Sequence, residues 1–206
     1  MVGKHASEMG LLFPGGTRIT HGSAGNIKKP FKTMPVIMHE MDSGGGSSFR
    51  GQFGFIPFRD DFRLPRHVHM TIDGDGASPI LVSERILVVG GVGLVELNGE
   101  VLIVAPGTLV DIAAGVPHTW TACPAGIRLP DQTVSDGSFL MIYEYSDHTG
   151  FFPTESVTTL TSPEGYQPYD GDLERIRFPK LSIREVAESA SLVWNKEILS
   201  DLPVAG

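Results

Sequence analysis

Two histidines one residue apart, a glutamate and a third histidine form the most informative set of side chains in this 206-residue chain. They are His67, His69, Glu84 and His118. On a β-strand, residues two apart point to the same face, so His67 and His69 can present two imidazoles to one ion. Three imidazoles and one carboxylate suit Fe(II), Mn(II), Ni(II), Cu(II) or Zn(II). The four residues are therefore candidate ligands of one divalent transition metal.

The segments around Glu84 and His118 have the composition of β-strands bounded by glycine turns. Glu84 begins an apolar, β-branched run that reaches Gly91, as expected for a strand that leads into a tight reversal. His118 follows Gly115 and Pro117, so it begins a new strand directly after a turn. Each candidate ligand is thus predicted to lie on a strand.

These segments resemble the two motifs of the cupin superfamily. The first motif has the form His-x-His, a spacer, Glu, six residues and Gly, and it is matched by His67, His69, Glu84 and Gly91. The second is matched by Gly107, Gly115 and His118, with Ala113 at a position where the family usually has Pro. The resemblance covers roughly residues 62 to 122. It implies an all-β, double-stranded β-helix (a jelly-roll barrel) and one metal ion bound by the three histidines and Glu84.

The spacer of the first motif departs from the family pattern. It is usually three or four residues long, whereas here it extends from Met70 to Ser83 and includes Asp73 and Asp75, which are rival ligands. Glu84 is preferred because it has the apolar strand and the glycine at the family distance, whereas the two aspartates lie in a glycine-rich turn sequence. The extra residues are expected to form a long hairpin end or a lid.

Composition divides the chain into three regions. Residues 1–30 show little periodicity and are expected to form an N-terminal arm, residues 31–150 a single cupin barrel, and residues 151–206 a C-terminal extension. Within the extension, Ser182 and Glu185 have capping-box spacing, which predicts a helix over about 183–193. Its apolar face should pack on the outside of the barrel or across a dimer interface.

The alternation of apolar and polar residues predicts a series of short strands. Their ranges are about 31–39, 49–58, 62–70, 80–89, 93–97, 100–104, 108–112, 117–122 and 138–146. The clearest hairpin has Asn98-Gly99 at its turn, the pair favoured where both residues need positive φ.

Charge and cysteine content exclude several classes of partner and site. The formal net charge of −8 and the absence of a clustered basic surface argue against nucleic acid or an anionic membrane. Cys123 is the single cysteine, so an intrachain disulfide and a thiolate metal cluster are excluded. The first residues lack the apolar stretch of a secretory signal, so the expected location is the cytoplasm.

Several aromatic residues are candidates for the wall of a substrate pocket. Phe53 and Phe55 share one strand face, and Trp120 shares the face of His118. An aromatic and apolar wall suits a small organic substrate better than a sugar phosphate, which calls for inward Arg or Lys side chains.

The candidates for acid–base roles lie on the last predicted strand, in the loop just beyond it and directly before the first histidine of the motif. They are Tyr143, Tyr145, Glu144, His148 and Arg66. Because strand residues alternate, the two tyrosines and Glu144 face opposite ways, and the sequence does not say which side faces inward.

Three classes of function fit the predicted site. An oxygenase would use Fe(II), the favoured metal, and O₂ on an aromatic, enol or ketone substrate; Zn, Mn, Ni or Cu are the alternatives. A non-redox cyclase, isomerase or lyase would use the metal as a Lewis acid. A metal-bearing binding module would catalyse nothing. The oxygenase is favoured narrowly, and the cupin resemblance implies a homodimer.

Overall fold

The computed structural model describes residues 5–7, 10–28, 38–41, 49, 51–59, 61–71 and 78–205. Within these residues the chain is mainly β-structure. The strands are, in chain order, His5–Ser7 (β1), Gly10–Leu12 (β2), Arg18–Thr20 (β3), Asn26–Lys28 (β4), Met38–Glu40 (β5), Phe53–Arg59 (β6), His67–Thr71 (β7), Glu84–Gly91 (β8), Gly93–Leu97 (β9), Glu100–Val104 (β10), Leu109–Ile112 (β11), His118–Ala122 (β12), Ser138–Tyr145 (β13), Thr149–Pro153 (β14), Ser191–Trp194 (β15) and Glu197–Leu199 (β16).

The described helical elements are short. One α-helix, Ile183–Ser189 (α1), is accompanied by four 3₁₀ turns at Pro14–Gly16, Gly22–Ala24, Pro163–Gly165 and Leu173–Ile176. No described helix is long and apolar enough to cross a membrane.

Two seven-stranded sheets form the barrel. The first has the order β1-β2-β3-β11-β8-β13-β6, and the second has the order β14-β7-β12-β9-β10-β15-β16. All pairings in both sheets are antiparallel except that of β10 with β15. The predicted jelly-roll barrel is confirmed, because strands distant in sequence alternate between two facing sheets rather than pairing in chain order.

The main apolar core lies between the two sheets. Along β8, Ile86 and Val88 are fully buried and point to the same side as Glu84. Along β13, Phe139 and Met141 are buried in the same core, so Tyr143 and Tyr145 share their inward face. Alternate residues of a strand face the same side, so Glu84, Tyr143 and Tyr145 all face the barrel interior. The candidate site therefore lies inside the barrel.

A second apolar core covers the outer face of the second sheet. Val186 and Ala187 of α1 pack there against Leu94, Ile103 and Leu192. The prediction that the C-terminal helix packs on the outside of the barrel is confirmed. This layer also buries Cys123, whose thiol pKa is raised to about 12 by burial.

The predicted capping box is present at the start of α1. The Ser182 hydroxyl accepts from the Glu185 backbone N–H at 3.3 Å, and the Glu185 carboxylate accepts from the Ser182 N–H at 2.7 Å. The helix is shorter than the predicted range of 183–193, because Ala190 has extended backbone angles. The residues that follow form β15, which pairs with the apolar strand β10.

The hairpin at Asn98-Gly99 is confirmed by its backbone. Asn98 has φ of 50° and Gly99 has φ of 81°, and they join β9 to β10 in register. The predicted strand at 31–39 lies mostly outside the described residues, which resume at Met38. Strands not expected from the sequence extend both sheets: β14, β15 and β16 lie at the two edges of the second sheet, and β1, β2 and β3, from the region predicted to be an arm, lie at one edge of the first.

Candidate metal centre

Strands from both sheets bring the four candidate ligands together. His67 and His69 lie on β7, and His118 begins β12, where it pairs in register with His67. Glu84 begins β8 in the opposite sheet. All four side chains are almost completely buried, with exposures of 1% to 3%. The centre therefore bridges the two sheets.

The ligand atoms converge closely. One nitrogen from each of His67, His69 and His118 lies within 4.8 Å of the other two. Glu84 Oε2 lies 3.0 Å from His118 Nε2 and 3.4 Å from His69 Nε2. The carboxylate therefore extends the three-histidine group to the set of four that the sequence motifs predict.

Backbone carbonyls determine which ring nitrogen of each histidine is free. The Nδ1 atoms donate to carbonyl oxygens: His67 to Pro65 at 2.8 Å, His69 to Gly150 at 3.0 Å, and His118 to Val116 at 2.9 Å. A carbonyl can only accept, so each Nδ1 carries the proton and each neutral ring has its lone pair on Nε2. This is the arrangement that orients histidines for a metal ion.

Three of the converging atoms have no hydrogen-bond partner among the described residues. They are His69 Nε2, His118 Nε2 and Glu84 Oε2, all fully buried. With the ring protons on Nδ1, each short distance joins a nitrogen lone pair to a carboxylate oxygen, and because neither atom carries a proton they do not satisfy one another. Buried polar atoms without partners are costly, and a cation accepting these lone pairs would remove the cost. The residues present therefore fit a divalent transition metal.

The protonation states also suit metal binding. Burial lowers the pKa of His67, and the neighbouring His118 and His69 lower it further, so the ring is neutral near pH 7. Burial alone would raise the pKa of Glu84, but the charge and hydrogen bonds that His69 and His118 supply when their rings are protonated outweigh it and hold the pKa well below its usual range. A neutral imidazole and an ionised carboxylate are the forms that bind metals.

Aromatic side chains surround the ligands. Tyr145 lies opposite Glu84 in the β13–β8 register, and its ring centroid is 4.6 Å from that of His69. Phe151 of β14 packs against His67 with ring centroids 4.5 Å apart. Tyr143 lies 5.2 Å from Tyr145, measured between ring centroids. Burial raises the pKa of Tyr145 far above its ordinary value, and the charge of Glu84 raises it further, so the phenol stays protonated.

A small cavity of about 140 Å³ lies next to Tyr145 and Phe151, which pack against His69 and His67, and its described lining includes none of the candidate ligands themselves. Its described lining contains no lysine or arginine and consists of Gln52, Ile56, Tyr143, Tyr145, Thr149, Gly150 and Phe151. Its wall is therefore uncharged and largely aromatic. A larger cavity of about 760 Å³ is lined by Arg66 and residues from 154 to 176, and it includes none of the candidate ligands.

Two of the predicted pocket residues lie elsewhere. Phe53 and Phe55 are 70% and 69% exposed, because Ile56 and Phe58 occupy the inward face of β6. Pocket lining by the two exposed phenylalanines is therefore a wrong prediction. Trp120 is 1% exposed in the barrel core, near Phe139, and its indole N–H has no described partner.

Two of the predicted acid–base residues also lie away from the ligands. Arg66 points to the opposite side of β7 from His67, where its guanidinium lies 2.7 Å from the buried carboxylate of Glu96. His148 is exposed in the turn between β13 and β14. Neither prediction of a role at the ligands is supported. Tyr143 and Tyr145 face the cavity, which places Glu144 on the opposite face of β13.

Two residues of the site could not be found from the sequence motifs. Phe151 and Gln52 lie outside both motifs and reach the cavity only through the pairing of β14 with β7 and the position of Gln52 before β6. The rival ligands Asp73 and Asp75 lie outside the described residues.

Comparisons with known proteins give structural likeness only. No family model and no curated protein matches the chain. The solved structures that resemble it include the following three. A mutant salicylate 1,2-dioxygenase from Pseudoaminobacter salicylatoxidans is 17% identical with a TM-score of 0.30, and the match covers 45% of this chain and 20% of that one. A dTDP sugar isomerase from Desulfovibrio desulfuricans is 16% identical with a TM-score of 0.43, over 75% of this chain and 94% of the other.

The third structure is a dTDP-6-deoxy-D-glucose-3,5-epimerase from Legionella pneumophila in complex with dTDP-4-keto-L-rhamnose. It is 12% identical with a TM-score of 0.42, over 74% of this chain and 81% of that one. Because these scores are low, the assignment depends on the sheet order and the ligand positions. The chain is a β-barrel protein with a buried histidine cluster between its sheets. His67 and His69 lie on one strand and His118 on its neighbour, as the resemblance to the cupin motifs predicts.

Proposed function

We propose that the protein is a metal-dependent enzyme, an oxygenase that uses O₂ to oxidise a small organic substrate. One observation carries the proposal: His69 Nε2, His118 Nε2 and Glu84 Oε2 are buried, converge and lack partners among the described residues, and Tyr145 and Phe151, which pack against His69, line a small cavity. Such a site costs stability and does not serve packing, so its retention indicates a functional role. The proposed ion is Fe(II), with Zn, Mn, Ni and Cu as alternatives.

The bound metal would supply a Lewis-acidic centre, and with Fe(II) also a redox centre for O₂. His67, His69, Glu84 and His118 would hold it. Their net charge of −1 would leave one positive charge on the bound divalent ion, which favours an anionic oxygen donor such as an enolate or a phenolate. In a dioxygenase both oxygen atoms enter the substrate, so the substrate is the reductant and no further cofactor is needed.

The size and charge of the cavity restrict the substrate. A volume of about 140 Å³ admits one small ring or a short diketone. The described lining carries no cationic side chain to pair with a phosphate or a second carboxylate. An uncharged or singly ionised enol, phenol or diketone is therefore the favoured class, and its flat face would pack on Phe151.

Tyr145 is the favoured acid–base residue. Its phenol remains protonated because burial and the Glu84 charge raise its pKa, so it can donate a hydrogen bond but cannot act as a base near neutral pH. In the proposed reaction it would donate to a substrate oxygen and orient the reacting carbon. Tyr143, 5.2 Å away between ring centroids, would line the entrance.

A non-redox isomerase or lyase is the second candidate. The protonated phenol of Tyr145 favours it, because a hydrogen-bond donor can hold the oxygen of a metal-stabilised enolate while water returns a proton to carbon. A binding module without turnover is the third. Turnover that requires O₂ would support the oxygenase, and equal turnover under argon would support the non-redox enzyme.

The experiment that tests the function begins with the protein loaded in turn with Fe(II), Mn(II) and Zn(II). Enols, phenols and diketones of up to about ten heavy atoms are incubated with each form, with substrate loss and O₂ uptake followed together. His67→Ala and His118→Ala should remove both metal and turnover while the circular dichroism spectrum remains that of a β-barrel. Full metal occupancy in either variant would contradict the ligand assignment.

We also propose that the chain forms a homodimer through the outer face of the first sheet. Phe53 and Phe55 are 70% and 69% exposed there. Near them, Asp111 pairs with both Arg18 and Arg85, so this face carries positive as well as negative charge despite the net charge of −8. A patch of this kind can pair with its own copy about a two-fold axis.

Sedimentation of the wild type and of the double variant Phe53→Ser with Phe55→Ser tests the pairing. A dimer that becomes a monomer in the variant supports it. A wild-type monomer, or a dimer in both, contradicts it.

A further inference from the structure

Gln52 connects the two sheets at the edge of the candidate metal centre. It lies directly before β6, and its backbone carbonyl accepts from the Tyr145 N–H at 3.1 Å. The neighbouring Gly51 N–H donates to the Tyr145 carbonyl at 2.9 Å. The backbone around Gln52 therefore holds the end of β13, where Tyr145 lies against the ligands.

The side chain of Gln52 reaches the other sheet. Its Nε2 donates to the Thr149 carbonyl at 2.7 Å, and its Oε1 accepts from the Thr149 N–H at 3.1 Å. One amide thus satisfies both backbone polar groups of a residue that is 5% exposed. An apolar side chain in its place would leave two nearly buried groups without partners, and the backbone would have to move to find others.

The backbone held by Gln52 leads directly to a candidate ligand. Gly150 follows Thr149, and its carbonyl accepts the His69 Nδ1 proton at 3.0 Å. The position of this carbonyl sets the tautomer and the ring orientation of His69, and so the direction of its Nε2 lone pair.

We infer that Gln52 is a positioning residue of the metal centre, which aligns His69 through Thr149 and Gly150 and fixes Tyr145 through the backbone. The inference depends on the proposed metal site. It goes beyond that proposal because it assigns a role to a residue outside both metal motifs and outside the ligand set. Of its two contributions, only the alignment of His69 requires the side chain.

The test compares Gln52→Met, which keeps the length of the side chain and removes both hydrogen bonds, with Gln167→Met, the same change on an exposed loop. The affinity for Co²⁺ is measured by competition with a chromophoric chelator, and the visible absorption of bound Co²⁺ reports the ligand geometry. Melting of the metal-free proteins in chelator measures the purely structural effect.

Gln52→Met should bind Co²⁺ about tenfold or more weakly and change the Co²⁺ spectrum, as is typical when support of a ligand is lost. Gln167→Met should match the wild type. Unchanged affinity and spectrum in Gln52→Met would overturn the inference. So would a failure of Gln52→Met and the milder Gln52→Asn to fold, because Gln52 would then act on the fold. A wild type that binds no Co²⁺ would instead overturn the proposed function.

Discussion

The substitution Glu84→Gln should change metal affinity and metal-free stability in opposite directions. Glu84 Oε2 and His118 Nε2 lie 3.0 Å apart, both buried and both without partners, because two lone pairs face each other. A glutamine of the same shape can turn an N–H toward His118 Nε2. It would also remove a buried charge from the metal-free site and one anionic ligand from the metal-bound site.

The magnitude follows from the number of atoms that gain a partner. An unsatisfied buried polar group costs about 1–3 kcal/mol, and a new hydrogen bond satisfies His118 Nε2. The metal-free variant should therefore be more stable than the metal-free wild type by about 1–3 kcal/mol. For a chain of this size, each kcal/mol raises Tm by about 2–4 °C.

With saturating Zn²⁺ the order of stability should reverse. A ligand present at about 1,000 times its Kd stabilises the folded state by about 4 kcal/mol, and the weaker-binding variant gains less. Thermal unfolding of the wild type and Glu84→Gln, followed by circular dichroism in chelator and in Zn²⁺ at pH 8, shows which protein is more stable under each condition. Glu96→Gln is the matched control, since Glu96 is also a buried carboxylate but pairs with Arg66 at 2.7 Å. It should lower Tm under both conditions. A Glu84→Gln protein that melts below the wild type in chelator would refute the reasoning.

Three further predictions concern single residues. Tyr145→Phe should leave the metal content unchanged and reduce kcat by about 100-fold or more in steady-state assays, because a hydrogen-bond donor at the reacting centre is lost; unchanged kcat would contradict its role. Cys123 should resist a disulfide reagent at pH 8 in the folded protein, since burial raises its thiol pKa to about 12, and its labelling should follow unfolding by denaturant; rapid labelling of the native protein would contradict its burial. Ser182→Ala should lower Tm by about 2–4 °C, because the cap of α1 is lost, and Ser182→Asp should restore it; equal melting of all three proteins would show that the cap does not contribute.

The ligand positions were predictable because they depend on local strand geometry. His67 and His69 lie on the same face of β7 in the structure, as the alternation predicts. His118 is the first residue of β12, directly after the predicted turn. The same alternation, continued to the residue before β7, also turns Arg66 away from the site, where it pairs with Glu96. Strand alternation alone therefore argued against the prediction that Arg66 acts at the ligands.

The orientation of β6 could not be read from its composition. Its residues from Phe53 to Phe58 are apolar on both faces, so no alternation of polarity indicates the inward side. Only the packing of Phe58 against Phe139, with ring centroids 4.7 Å apart, shows that the even-numbered residues face the core. The inward side of β13 could not be read from its composition either. The burial of Phe139 and Met141 shows that the odd-numbered residues of this strand, including Tyr143 and Tyr145, face inward.

The edges of the barrel depend on pairings between distant segments. β15 follows α1 but pairs in parallel with β10, and β14 pairs with β7. Local propensity carries no information about such partners. The contacts of Gln52 with Thr149 arise in the same way, from residues 97 positions apart.

The central claim is that the three histidines and Glu84 bind a metal, and elemental analysis tests it most directly. The protein would be purified without an affinity tag or chelator and measured by inductively coupled plasma mass spectrometry beside His118→Ala. We expect close to one equivalent of a transition metal in the wild type and almost none in the variant. A wild-type protein that contains no metal, and that takes up none when Fe(II), Mn(II) or Zn(II) is added, would contradict the account.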